Sequence, residues 1–136
     1  MRTIWKWLKG EAGQSTVIIA ITMVVLCGFA AMAVDIGRVS VERGQLQNAA
    51  DAAALAGAQA LPTASTAKSQ AAYYAQLNGV TAANTTATTP YNGNSSKIEV
   101  VCKATIDYTF ARVFGLTSTT ISARAVGEKT GMSGGA

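Results

Sequence analysis

The longest feature in the hydrophobic pattern is residues 17–34, VIIAITMVVLCGFAAMAV, eighteen residues without a charge, interrupted only by Thr22 and Gly28. At 1.5 Å per residue this run is about 27 Å long, the short end of what a helix needs to cross a bilayer. No proline interrupts the chain between Ser15 and Leu61, and Pro62 then supplies a stop. The pattern therefore predicts one helix of roughly 65–70 Å, its first half apolar on every side and its second half two-faced. In the second half Leu46, Ala50, Ala53, Gly57 and Ala60 follow the apolar helical rhythm, while Arg43, Gln47 and Asp51 share the polar side, with Leu55 next in line. Asp35, Arg38 and Glu42 fall on one stripe just beyond the apolar run, with opposite charges adjacent. Gly37, Gly44 and Gly57 each weaken a helix by up to about 1 kcal/mol relative to Ala, and a kink is expected near Gly44.

Beyond Pro62 the periods change. A second helix is expected from about Thr66 to Leu77, with Tyr73, Tyr74 and Leu77 as its apolar edge and Asn78-Gly79 as its end. Residues 81–96, rich in Thr, Asn and Gly, read as a loop or a weak edge strand, and the sequons at Asn84 and Asn94 are what chance supplies in such a loop. In KIEVVCKATIDY the positions Ile98, Val100, Cys102, Ala104 and Ile106 alternate with a mostly polar set, so one face of a strand is buried. TFARVFGL then gathers Phe110, Val113 and Phe114 in a single helical turn ended by Gly115. STTISARAVGE returns to alternation, with Ile121, Ala123 and Ala125 on one face. The connection between these two strands is too short for a parallel crossover, which favours antiparallel pairing. The fold class is α+β: a long N-terminal transmembrane helix continuing into an Ala-rich helix, then a small head with a second helix and an antiparallel sheet of two to three strands.

Composition narrows the functions. A chain of 136 residues allows one small domain and an anchor. Its net charge of +4 comes from eleven dispersed Lys and Arg with no basic stripe, so no nucleic-acid partner is expected. There is no His, and neither Cys27 nor Cys102 has a metal-ligand partner at a recognisable spacing. No metal, cofactor or small-molecule substrate is expected, and no disulfide, since one Cys lies in the apolar run and the other in the head. Asp107 and Tyr108 near Arg112 form a site-like group, but polar residues at strand ends are usually structural, and no catalytic residue is assigned.

Arg2, Lys6 and Lys9 precede the apolar run against Glu11 alone, with Trp5 and Trp7 suited to a headgroup interface. This bias keeps the N-terminus in the cytoplasm and sends the head outward. A cleaved secretory signal is the competing reading, with Ala31-Met32-Ala33 as its small-x-small site. The length of the apolar run and the helical pattern continuing through that site favour a retained anchor. The expected divisions are a basic cytoplasmic leader (1–14), a transmembrane helix (15–35), an extracytoplasmic Ala-rich helix (36–61), the head (62–130) and a flexible tail (131–136). The helix-packing face is expected at Leu46, Ala49, Ala50, Ala53 and Gly57, where small side chains permit close approach. Its partner is either the chain's own head or another subunit.

Several of these residues also carry a resemblance. Gly13-Gln14 before the apolar run, Val34-Asp35-Ile36-Gly37-Arg38 after it, and Leu46-Gln47 leading into the Ala49–Ala58 stretch closely resemble the N-terminal segment of TadE/TadG-like proteins of the tight adherence (Flp) pilus system. FARVFGLTSTTISARAV looks like that family's closing segment. The polar residues that carry the motif are Asp35, Arg38 and Asp51. The resemblance implies an inner-membrane pilus-assembly component or minor pilin-like subunit, with the small α+β head as a pilin-like head. Its partners would be the membrane and other pilin-like or assembly subunits, itself included. Larger members carry a von Willebrand-type domain with a metal-ion adhesion site, for which this chain is too short. Pseudopilin-like members are cut after a Gly that a Glu follows five residues later. Gly13 and Gln14 are the candidate site here, with Ile18 in the Glu position; a cut after Gly10 would put Ser15 there.

The functional expectation is a membrane-anchored, non-enzymatic pilin-like or pilus-assembly protein that acts by helix packing in the membrane or filament. It would sit as a single-pass protein of the cytoplasmic membrane or be incorporated in a surface pilus. A major subunit of an extracellular filament is the first alternative. A stalked surface-binding module, using the Thr/Asn-rich loop and Tyr91, is the second.

Overall fold

A computed structural model describes residues 11–131, so the basic leader up to Gly10 and the end of the tail lie outside the described residues. Helix α1 (Glu11–Gln59) runs unbroken for 49 residues, about 73 Å at 1.5 Å per residue. Gly44 sits within it with no atom near its missing Cβ and does not interrupt it. The chain turns through Leu61 and a cis Leu61–Pro62 bond into α2 (Ala64–Leu77), which starts slightly before its expected position and ends at Leu77 as expected. A 3₁₀ turn (Ala82–Asn84) leads to β1 (Thr85–Thr88), then β2 (Lys97–Asp107), a second 3₁₀ turn (Ala111–Phe114) and β3 (Ser118–Glu128).

The three strands form one antiparallel sheet in the order β1-β2-β3. Register pairs Lys97 with Glu128 at one end of β2–β3 and Asp107 with Ser118 at the other. β1 is the short edge strand that the Thr-rich segment suggested, with Thr85 opposite Cys102. Between β1 and β2, Asn92 and Gly93 both have positive φ (49° and 75°), a left-handed pair that these two residue types tolerate best.

The core lies between the inner face of the sheet and the outer half of α1, with α2 closing one side. Ile98, Val100, Cys102 and Ile106 from β2 and Ile121 and Ala123 from β3 face Leu46, Ala49, Ala50, Ala53, Ala54 and Ala58 of α1. The alternation in β2 and β3 thus points its apolar set inward, as a sheet with one solvated face requires. The apolar edge expected on α2 is a different one. Tyr73, Tyr74 and Leu77 are exposed, and the face turned to the core is Ala67, Ala71 and Ala75. Small residues win there because α2 lies close on Gly57 of α1. A Cβ at Gly57 would stand 3.0 Å from the Ala67 carbonyl oxygen and 3.3 Å from the Ala71 Cβ, leaving no room for aromatic rings.

Candidate functional site

The inner half of α1 extends beyond the head, which reaches it through the 110–114 turn beside residues 27–32. From Val17 to Val34 its large apolar side chains are all exposed, by 48% or more, and α1 is long and apolar enough to cross a membrane. The one hydroxyl in the middle of that run, on Thr22, donates to the Ile18 carbonyl at 2.8 Å, so it carries no unmade hydrogen bond into an apolar surrounding. Gly13 and Gln14, the candidate processing pair, are exposed at the start of the helix.

Where the apolar run ends, the head attaches to its side. Asp35 is only 3% exposed, although it sits on a helix whose flanking residues are open. Its carboxylate accepts three backbone hydrogen bonds from the segment between β2 and β3. The Thr109 N–H donates to Oδ1 at 2.9 Å, and the N–H groups of Phe110 and Ala111 donate to Oδ2 at 2.9 and 2.7 Å. Those are the donors that the start of the second 3₁₀ turn leaves unpaired, so Asp35 caps that turn from another helix. Arg38, one turn further along α1, donates from Nη1 to the Thr109 hydroxyl. Asp35 and Arg38, expected as neighbouring opposite charges, attract each other and also reach the head, whose orphan N–H groups donate charge-assisted hydrogen bonds to the carboxylate. The turn's remaining bonds are internal. Val113 N–H donates to the Phe110 carbonyl, Gly115 N–H to Arg112, Leu116 N–H to Ala111, and Tyr108 N–H to Thr117.

The Ala-rich stretch is where the chain closes on itself. Ala49, Ala50 and Ala53 have no exposed surface, and Leu46 has 3%. At Gly127 of β3 a Cβ would meet the Ala54 carbonyl oxygen at 2.2 Å, so strand and helix backbones lie against each other. At Gly57 the neighbours are Ile98 Cδ1 at 2.8 Å and α2. The residues expected to form a packing face thus lie against β2, β3 and α2 of the same chain. Asp51 is exposed beside this face and accepts from Gln47 Nε2 at 2.9 Å, while the same Gln47 nitrogen donates to the Arg124 carbonyl at 3.2 Å. The far end of α1 is held by Lys129, whose ammonium donates to the carbonyl oxygens of Leu61 and, at 3.3 Å, Gln59, where a cation complements the helix terminus.

Tyr91, Asp107 and Arg112, also singled out from the sequence, have structural partners. Arg124 lies 5.4 Å over the Tyr91 ring, donates to the Tyr91 hydroxyl and pairs with Glu99, whose carboxylate raises the Arg124 pKa further. Tyr91 is thereby fixed against the outer face of the sheet. Arg112 and Asp107 form a loose, exposed ion pair at 3.8 Å. Among the described residues no group of His, Cys, Asp and Glu could hold a metal ion. Both cysteines are free. Burial pushes the Cys102 thiol up, against a smaller opposing effect of its Thr85 hydrogen bond, which makes it a core side chain and a poor nucleophile.

The docking of Asp35 and Arg38 on the 109–111 segment was not readable from the pattern, which showed only two charges on a helix. The available signal was that Asp35 lies at the end of the apolar run, where a carboxylate needs partners, while a turn without an acidic or Ser/Thr cap stands elsewhere in the chain.

No curated protein and no solved structure matches the chain. Residues 13–60, which take in the apolar run, Asp35, Arg38 and the alanine ladder, match the family model described as "Putative Flp pilus-assembly TadE/G-like", so along its long helix the chain resembles the TadE/TadG-like proteins of the Flp pilus system.

Proposed function

We propose that the protein is a single-pass component of a Flp-type pilus-assembly system, anchored in the cytoplasmic membrane with its head outside. The observation that carries this reading is the division of α1 into two halves: one bare and apolar, the other built into the core of the head. A helix of this kind transmits the position of the membrane directly to the head, because no linker separates them. The Lys and Arg residues ahead of the span supply the orientation, with the N-terminus in the cytoplasm. The family match over the same helix supplies the pilus-assembly context. The protein acts by packing, with no catalytic step.

The surfaces left for other subunits are the lipid-facing span and a groove beside it. Since the Leu46–Gly57 face is covered by the chain's own head, a neighbour would engage the opposite side of α1. There Ala52, Leu55 and Ala56 with Gln70 and Tyr74 of α2 line an open groove, and Leu55 is 63% exposed. A Cys at position 55, crosslinked in native membranes, should capture a second single-pass helix; a Cys at 53 should not. Intact mass and N-terminal sequence of the protein from membrane and sheared-fibre fractions test the rest. A retained N-terminus in the membrane fraction supports the anchor. A chain starting after Ala33 would overturn it, and abundant recovery in sheared fibres would move the assignment to a major filament subunit.

A further inference from the structure

The second 3₁₀ turn is the most exposed apolar feature of the head. Val113 is 85% exposed, Phe114 74%, Leu116 58% and Phe110 44%, although they are neighbours in a domain that buries smaller alanines completely. A soluble surface does not gather four large apolar side chains on one short turn without a partner. The place of the turn says what the partner is. Phe110, Ala111, Val113 and Phe114 face Cys27, Gly28, Ala31 and Met32 of α1 across a nearly apolar groove of about 350 Å³. Those helix residues belong to the apolar run. Between Val34, where the run ends, and Cys27 the helix rises about 10 Å, so the turn lies alongside the outermost third of the span.

We propose that this turn is inserted in the outer leaflet of the membrane that α1 crosses, with lipid acyl chains filling the groove and covering Val113 and Phe114. The inference rests on the transmembrane reading of α1. Three features of the structure fit it. The depth of about 3–10 Å set by Met32 and Cys27 is that of an interfacial apolar element. The backbone N–H groups at the start of the turn are satisfied by Asp35, and those at 113, 115 and 116 by carbonyls within it, which lowers the cost of placing irregular backbone against lipid. The polar side chains lie where headgroups would be. Arg38 is engaged at Thr109, Asp35 is enclosed by the turn it caps, and Arg112 is long enough to extend its guanidinium toward water and Asp107. The anchor therefore has two parts, a spanning helix and a wedge locked to its side, and the wedge fixes both depth and rotation of the head against the bilayer.

The test uses the full chain in phosphatidylethanolamine/phosphatidylglycerol vesicles, with Trp5→Phe and Trp7→Phe as a silent background. A single Trp is then placed at Phe114→Trp, at Val24→Trp in the span, or at Tyr73→Trp on the far side of the head. Lipids brominated on the upper acyl chain should quench the emission of Phe114→Trp, with a blue-shifted maximum and protection from acrylamide. Tyr73→Trp should show the reverse. If Val24→Trp is quenched by bromolipid while Phe114→Trp is open to acrylamide, the span stands and the wedge falls. If Phe114→Trp is shielded from both quenchers, a protein neighbour covers it and the proposal is overturned. If Val24→Trp is itself open to acrylamide, the transmembrane reading fails and takes the wedge with it.

Discussion

Replacing Gly127 with Ala tests whether the alanine ladder is an internal joint. A Cβ at this position would stand 2.2 Å from the Ala54 carbonyl oxygen, 2.8 Å from its carbonyl carbon and 3.0 Å from the Ala58 Cβ. The two closest atoms are backbone, so no rotamer change relieves the clash. Strand and helix must separate by about 1 Å to approach ordinary van der Waals distance. Gly127 pairs with Ile98, which is fully buried, so the movement also disturbs a core side chain packed between sheet and helix. Overpacking of this type costs about 1–3 kcal/mol, and the unyielding neighbours place Gly127→Ala near about 3 kcal/mol. For a head of this size that lowers Tm by roughly 10–20 °C. Thermal unfolding of the full chain in detergent, followed by near-ultraviolet circular dichroism of the tyrosines, reads the shift. Gly44→Ala is the matched control: it has nothing within 4 Å and should stabilise the helix by up to about 1 kcal/mol. An unchanged or raised Tm for Gly127→Ala would refute the close helix–strand contact and return the ladder to packing between subunits.

Other perturbations separate the parts of the structure. Asp35→Ala should abolish amide hydrogen-exchange protection at Thr109, Phe110 and Ala111 while leaving β2–β3 protected. Asp35→Asn should lose less, since one of its two side-chain atoms still accepts; equal protection in all three proteins would exclude the cap. Gly57→Ala should cost less than Gly127→Ala, because its nearest neighbour is the flexible Ile98 Cδ1 and the helix gains propensity; a larger loss of Tm would reverse that ranking. Ile98→Ala should destabilise the head by about 2–5 kcal/mol in denaturant titration, and a cost below about 1 kcal/mol would mean that the sheet does not pack on α1. In detergent, maleimide should label the exposed Cys27 and reach the buried Cys102 only on unfolding, whereas an impermeant maleimide should label neither in intact vesicles; labelling of folded Cys102 would contradict its burial.

The elements were legible where the pattern has one cause. Lipid-length apolarity fixed the first half of α1, and period-two alternation fixed β2 and β3 with their inward faces, since each depends on residues close in sequence. The second helix shows the limit. Its tyrosines outweigh its alanines in any hydrophobic tally, yet Ala67, Ala71 and Ala75 are the buried face because closeness to Gly57 of a different helix decides what fits. The head contacts of Asp35 were hidden for the same reason. Its partners Thr109, Phe110 and Ala111 are more than seventy residues away, and they contribute backbone N–H groups, which leave no mark on the sequence.

These two long-range contacts together explain why the chain needs alanine on one stretch of helix and a carboxylate on another. The ladder brings α1 within backbone distance of β3, so the outer half of the helix is a member of the head's core. Asp35 then holds the opposite end of the sheet, through the 109–111 segment, against the helix where the apolar run stops. The two attachments lie along α1 between Asp35 and Gly57, about 33 Å apart at 1.5 Å per residue. A sheet tied to a helix at two points that far apart cannot swing about either one. The head is therefore splinted to the apolar half of the helix, and on the proposed transmembrane reading a force acting on that half reaches the head as a rigid-body displacement.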